Sequence, residues 1–336
     1  MEKVLTYKSF KRDPFFDNVK ILLMLLVVFG HIVPPGQGKI CLASFEWVYS
    51  FHMPLFVFIS GYFTNVENRD KVFKGLLKLI ETFIIFTLIH TLFLLRDGAS
   101  IINLLQIPHW THWYLLSLIY WRLFLYILPL SIRNNYLKLL FLSVALCFVM
   151  GWVPIGAAFS FHRTFSFLPF FILGYVAAQT GTINRIKLSP ILAFVILTAV
   201  FWVYFEIPRI STLLLQHYGY FRHSIIYGFP PLYFLLFRIG WLFFAGLMSV
   251  CFLSVVPRKE YRWTHFGQLT LFIYMYHSVI LLCFRIIRKE YGVPMSFPYC
   301  VLYTIIVFCI IYIMSKVKFF HWLLNPVTPV IYNSKK

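Results

Sequence analysis

Apolar residues fall in long runs along this chain, and basic residues punctuate them. A helix needs about 20 apolar residues to cross the hydrocarbon core of a bilayer, with about 17 near the lower limit. Runs of that kind lie near 19–34, 45–63, 79–95, 113–130, 137–153, 165–180, 189–206, 232–256, 269–284 and 298–315. They predict an all-α, polytopic protein, a bundle of about ten transmembrane helices, because lipid leaves an unpaired backbone group without a partner. The expected organisation is a cytoplasmic N-terminal segment over 1–18, a transmembrane domain over 19–318 and a cytoplasmic tail over 319–336. No internal repeat stands out, which weighs against an inverted-repeat transporter.

Composition supports the membrane reading. The 336 residues are 60% hydrophobic, 21% aromatic and 12% charged, with a mean hydropathy of +0.80, whereas a soluble domain carries about 25% charged residues. A net charge of +19 would suggest nucleic acid in a soluble protein. Here the cations sit between spans, so they set topology and no nucleic-acid partner is expected. Lys3, Lys8, Lys11 and Arg12 precede the first span; Arg69, Lys71, Lys74 and Lys78 follow the second; Arg258, Lys259 and Arg262 follow the eighth. The alternate loops are poorer in Lys and Arg, so both termini are expected in the cytoplasm. One loop dissents: Arg285, Arg288 and Lys289 fall on the outer side. The start MEKVLTYKSFKRDPFFDN does not resemble a signal peptide. The six cysteines form no CxxC pair and mostly lie in apolar runs, so buried thiols are expected and a metal site is not.

The outer loops hold His109, His112, His162, His217 and His223 among aromatics. Such a face suits a carbohydrate, and it equally suits an ordinary membrane interface. Ionisable residues inside spans are costly and usually face the bundle interior. In KILLMLLVVFGH, Lys20 and His31 are eleven positions apart. At about 100° per residue they share a face, roughly 16 Å apart along the axis. The plain alternative is a packed histidine and a snorkelling lysine. In FHMPLFVFISGYF, Pro54 removes a backbone donor, Gly61 permits close approach, and Ser60 and Tyr62 offer hydroxyls. Arg122, Arg238 and His277 also lie within spans. There is no GxSxG, P-loop, HExxH or dinucleotide fingerprint.

DNVKILLMLLVVFGHIV followed by YSFHMPLFVFISGYF resembles the opening of membrane-bound acyltransferase family 3, in its fucose 4-O-acetylase-like branch. HWYLLSLIYWRLF, FSFLPFFILGYVAA and WTHFGQLTLFIYMYHSVILL are similar to that branch's later landmarks, in the same order over about 17–284. The resemblance implies an O-acyltransferase of the bacterial plasma membrane. It moves an acyl group, often acetyl from acetyl-CoA, onto a hydroxyl of a glycan or lipid-linked sugar. Lys20 and His31 match the family's basic residue and histidine, Ser60 and Gly61 its SGY/F landmark, and Trp113, Arg122, Gly174 and His277 the others. An RxxR-like motif finds only loose equivalents in Lys71, Lys74 and Lys78.

A sugar hydroxyl needs a base as it attacks a thioester, and a neutral histidine suits that role. The implied assignment is therefore His31 as base or acyl carrier, with Ser60 and Tyr62 meeting the oxyanion. Lys20, Lys71, Lys74 and Arg122 would hold the donor's phosphates; Trp113, His277 and Arg238 would face the acceptor. An oligomer is compatible with this reading. A transporter or flippase of a lipid-linked sugar, with the histidine in a proton relay, is the alternative from a different class.

Overall fold

The computed structural model describes residues 13–34, 38–96, 111–155, 157–207, 211–293 and 295–327. The N-terminal cations up to Arg12, His109, Arg209 and the tail from 328 onward lie outside the described residues. Among the described residues the chain is helical and has no strand. Ten of the helices among the described residues have 14 residues or more: α1 (Pro14–Ile32), α2 (Lys39–Tyr62), α3 (Arg69–Arg96), α4 (Trp113–Ile127), α5 (Tyr136–Val149), α6 (Phe161–Thr180), α7 (Pro190–Glu206), α8 (Pro231–Val255), α9 (Thr270–Tyr291) and α10 (Phe297–Met314). Each overlaps one of the apolar runs. Five are long and apolar enough to cross a bilayer: α1, α2, α8, α10 and α9 with the 3-10 turn before it. The outward faces suit lipid, with Leu137, Phe141, Ile191 and Phe243 all more than three-quarters exposed.

α1 begins earlier than the apolar run because Asp13 caps it. The Asp13 carboxylate accepts from the Phe15 N–H at 2.9 Å, and Pro14 occupies the first turn, where its missing N–H costs nothing. Such a cap contributes about 1 kcal/mol. Phe16 then packs on Tyr62 and Phe63 at the end of α2, with ring centroids 4.4 and 5.0 Å apart. Asn18 donates to the Pro257 and Lys259 carbonyls and accepts from the Thr264 hydroxyl. The start of α1, the end of α2 and the start of α9 therefore meet at one end of the bundle, as alternating helix direction requires.

α2 is buried over most of its length and crosses α6 at a pair of glycines. A Cβ on Gly61 would lie 1.9 Å from the Phe171 carbonyl oxygen; one on Gly174 would lie 1.9 Å from that of Phe58. Only glycine permits so close a backbone approach, the usual device of packed membrane helices. This crossing holds α2 at the centre, so its residues from Phe45 to Ser60 line the cavities described next.

Candidate active site

Three cavities matter. A wide one of about 700 Å³ lies at the C-terminal ends of α1 and α9, between Phe45, Tyr49, Phe284 and Met295, with Arg285, Arg288 and Lys289 on its wall. A central one of about 180 Å³ lies between Met53, His52, Trp113, Arg163, Phe167 and Leu215. His31 and Tyr49 line both. A third, of about 250 Å³, lies near the start of α1 and is lined by Lys20, Ser60, Tyr114, Arg122, Gln268 and Tyr274.

His31 occupies the last turn of α1 and is half-buried. Its Nδ1 lies 2.9 Å from the Tyr49 hydroxyl. The preceding Gly30 lets α2 approach: a Cβ there would stand 3.0 Å from Val48 and 3.2 Å from the Tyr49 ring. The His31 ring stacks on that of His277, with centroids 5.5 Å apart and planes 17° from parallel. His277 and His52 share one arrangement. Each lies on a helix and donates from Nδ1 to the carbonyl four residues back, at 3.1 Å to Ile273 and 2.7 Å to Val48. A carbonyl only accepts, so Nδ1 carries the proton and Nε2 presents a lone pair. Both Nε2 atoms are buried and without a hydrogen-bond partner. Three imidazoles from α1, α2 and α9 thus converge at one level of the bundle.

Arg163, in the first turn of α6, is 7% exposed. Its Nε donates to the Leu215 carbonyl at 3.2 Å, its Nη2 donates to His217 Nε2, and its guanidinium lies 4.9 Å over the Trp113 ring. Burial first, then Arg163 and His223, hold His217 far below the ordinary imidazole range, so this loop histidine is neutral and accepts.

At the other end of α1, Lys20 pairs with Asp17 at 2.7 Å and lies over the Phe63 ring. Arg122 shares this cavity, its Nε buried and unbonded. Gly75, beside Lys74, abuts the Arg122 guanidinium, while Lys71 and Lys74 are themselves exposed on α3. The helix face shared by Lys20 and His31 does not border one continuous cavity. Phe56, Tyr114 and Tyr274 pack together, centroids 5.0 to 6.0 Å apart, and wall off the lysine cavity. Tyr274 is in turn 5.6 Å from His277. The partition is thin, since Met53 lines the central cavity and Phe56, about one turn further along α2, the lysine cavity.

The sequence-based site residues therefore divide. His31 and His277 meet, and Trp113 lines the central cavity with His31. Ser60 belongs to the lysine cavity, its Oγ 2.5 Å from the Tyr114 hydroxyl and donating to the Phe56 carbonyl. Tyr62 packs among Phe16 and Phe63 at the same end. Arg238 is engaged elsewhere: it donates to Gln216 Oε1 and to the Cys147 and Tyr218 carbonyls, and lies over Tyr220. Tyr49, His52 and Arg163 join the site without having been singled out. The sequence signal for Arg163 was its place two residues before FSFLPFF; for His52 it was a histidine one turn from Tyr49 inside a buried span.

Comparison with known proteins adds the following. A family model described as an acyltransferase domain matches residues 13–316. Nodulation protein NolL of Mesorhizobium japonicum is 26% identical over 199 residues, covering 52% of each chain. The chain thus matches about half the length of that relative. No solved structure matches.

Proposed function

We propose, for a chain that belongs to the acyltransferase domain family, that it transfers an acetyl group from cytoplasmic acetyl-CoA to a hydroxyl of an extracytoplasmic or lipid-linked glycan. The observation that carries this reading is the position of His31, on the wall between two cavities with a cationic cavity behind them. Lys20 and Arg122 supply charge for the donor's phosphates, which are strong acceptors for such groups. The wide cavity has room for a sugar and opens beside His31. In the tautomer that donates Nδ1–H to the Tyr49 oxygen, His31 Nε2 takes the proton as the acceptor hydroxyl attacks the thioester. The same proton then passes to the departing CoA thiolate. The pantetheine arm must pass the layer of Phe56, Tyr114 and Tyr274, so that layer opens when the donor binds.

The reading includes ten membrane crossings, both termini in the cytoplasm and a bacterial plasma membrane. The meeting of the α1 start with the 257–264 loop supports a common side for the segments rich in cations. A proton relay in a transporter is favoured by one observation, the row of three histidines. Purified protein incubated with labelled acetyl-CoA and a lipid-linked glycan pool separates the two. Transfer or slow donor hydrolysis supports the enzyme; neither, with sugar movement in proteoliposomes, supports the transporter.

A further inference from the structure

The buried Arg163 has a partner list that does not match its charge. Among the described residues it meets a carbonyl, a neutral imidazole and an indole face, and no carboxylate pairs with it. A buried cation without an anion is costly and is ordinarily paired or coordinated. Arg238 shows the contrast. It too is buried, yet several of its donors are spent on oxygen acceptors that tie the 216–220 segment to α5 and α8. Arg163 faces a cavity, and His31 lines the same cavity. His52 lines it as well, and its Nε2 is buried without a hydrogen-bond partner. The space is about 180 Å³, roughly six waters at about 30 Å³ each. That is room for a short acyl group and the attacking oxygen. It is closed by Met53, Phe167, Leu214 and Leu215 against a long chain.

We infer that the central cavity is the acyl site and that Arg163 is the catalytic residue that holds the oxyanion formed when the thioester is attacked. This rests on the transfer reading above. The acceptor oxygen bonds to the acyl carbon, its proton moves to His31, and the carbonyl electron pair moves onto the oxygen facing Arg163. The pair returns, the carbon–sulfur bond breaks, and the CoA thiolate leaves with the proton from His31. A cation already in place, fixed by Trp113, Leu215 and His217, needs no reorganisation to meet that charge. This assignment replaces Ser60 and Tyr62, which lie at the lysine end.

The test uses the full-length protein in detergent or nanodiscs. Arg163→Gln is expected to lower kcat by about 10²–10³-fold, the range for loss of one oxyanion donor, with the KM for acetyl-CoA little changed. A trifluoromethyl ketone analogue of acetyl-CoA, which forms a tetrahedral adduct, should lose affinity by a similar factor, while free CoA binds as before. A purely structural role would not separate the analogue from CoA. Arg163→Lys is the second variant; it keeps the charge but not the fork, and should lose about tenfold in kcat. A folded Arg163→Gln or Arg163→Lys protein with wild-type kcat and analogue affinity overturns the inference. So does equal loss of analogue and CoA. If the wild-type protein itself transfers nothing, the reading of function fails instead.

Discussion

The two ends of α1 are built for different work. At the lysine end Lys20 itself is compensated: it pairs with Asp17 and lies over Phe63, and the nearby hydroxyls of Ser60 and Tyr114 bond one another, while the Arg122 Nε beside them is unbonded. At the histidine end the polar atoms wait for partners: the Nε2 atoms of His52 and His277 are buried and bare, and Arg163 has no carboxylate beside it among the described residues. Three aromatic side chains from three helices stand between. A group already satisfied binds a ligand by exchange, whereas an unsatisfied buried group gains most when charge develops beside it. The lysine end thus reads as a place for holding and the histidine end as a place for reacting.

Variants at each end sharpen this division. Tyr49→Phe removes the hydroxyl from His31 Nδ1. Leaving a buried polar atom unsatisfied costs about 1–3 kcal/mol, so kcat should fall roughly 10- to 100-fold with donor affinity kept. Steady-state kinetics check this; a fall in donor affinity alone would join the two ends. Lys20→Ala should weaken CoA binding by roughly 1.5–3 kcal/mol, the range for a hydrogen bond to a charged group. Its kcat at saturating donor should survive, since that contact is equal in ground and transition states. Calorimetry with CoA and a rate at saturation measure the split.

The smallest effect concerns stability. Burial first, then Arg163 and His223, lowers His217 to about 2; His223 is lowered to about 4, with burial first and then Arg238. In the unfolded chain each has an ordinary value near 6.5. Below that pH the unfolded state binds more protons, so stability falls as the medium is acidified from about pH 6.5 toward 4. Melting temperatures at pH 7.5 and 5 should show the drop, and His223→Phe should flatten part of it. A level profile would show that these imidazoles titrate freely.

Much of the helix layout was readable because apolar runs in a membrane protein have few alternatives. The ends were less so. Asp13 and Pro14 start α1 five positions before the run at 19, and α9 continues through Arg285 to Tyr291 until Gly292 ends it. That extension carries Arg285 and Arg288 onto the wall of the wide cavity, which gives a place to the basic residues that departed from the expected charge alternation. Lys20 and His31 could be placed on one face because both lie on one helix. The partition between them could not, since Phe56, Tyr114 and Tyr274 come from α2, α4 and α9 and meet only in the folded bundle. Arg163 lies outside the apolar run that begins at 165, whereas α6 begins at Phe161 and buries it.

The proposed transfer turns on His31, which lines both the wide and the central cavity. The decisive measurement is a single-turnover transfer of labelled acetyl from acetyl-CoA to the glycan acceptor, with His31→Ala and wild-type proteins matched for folding by their melting curves. Loss of a positioned base should slow transfer by about 10²–10⁴-fold, with CoA affinity unchanged. A folded His31→Ala protein that transfers acetyl within about threefold of the wild-type rate would contradict it, and would leave His31 a packed residue held by Tyr49 and His277.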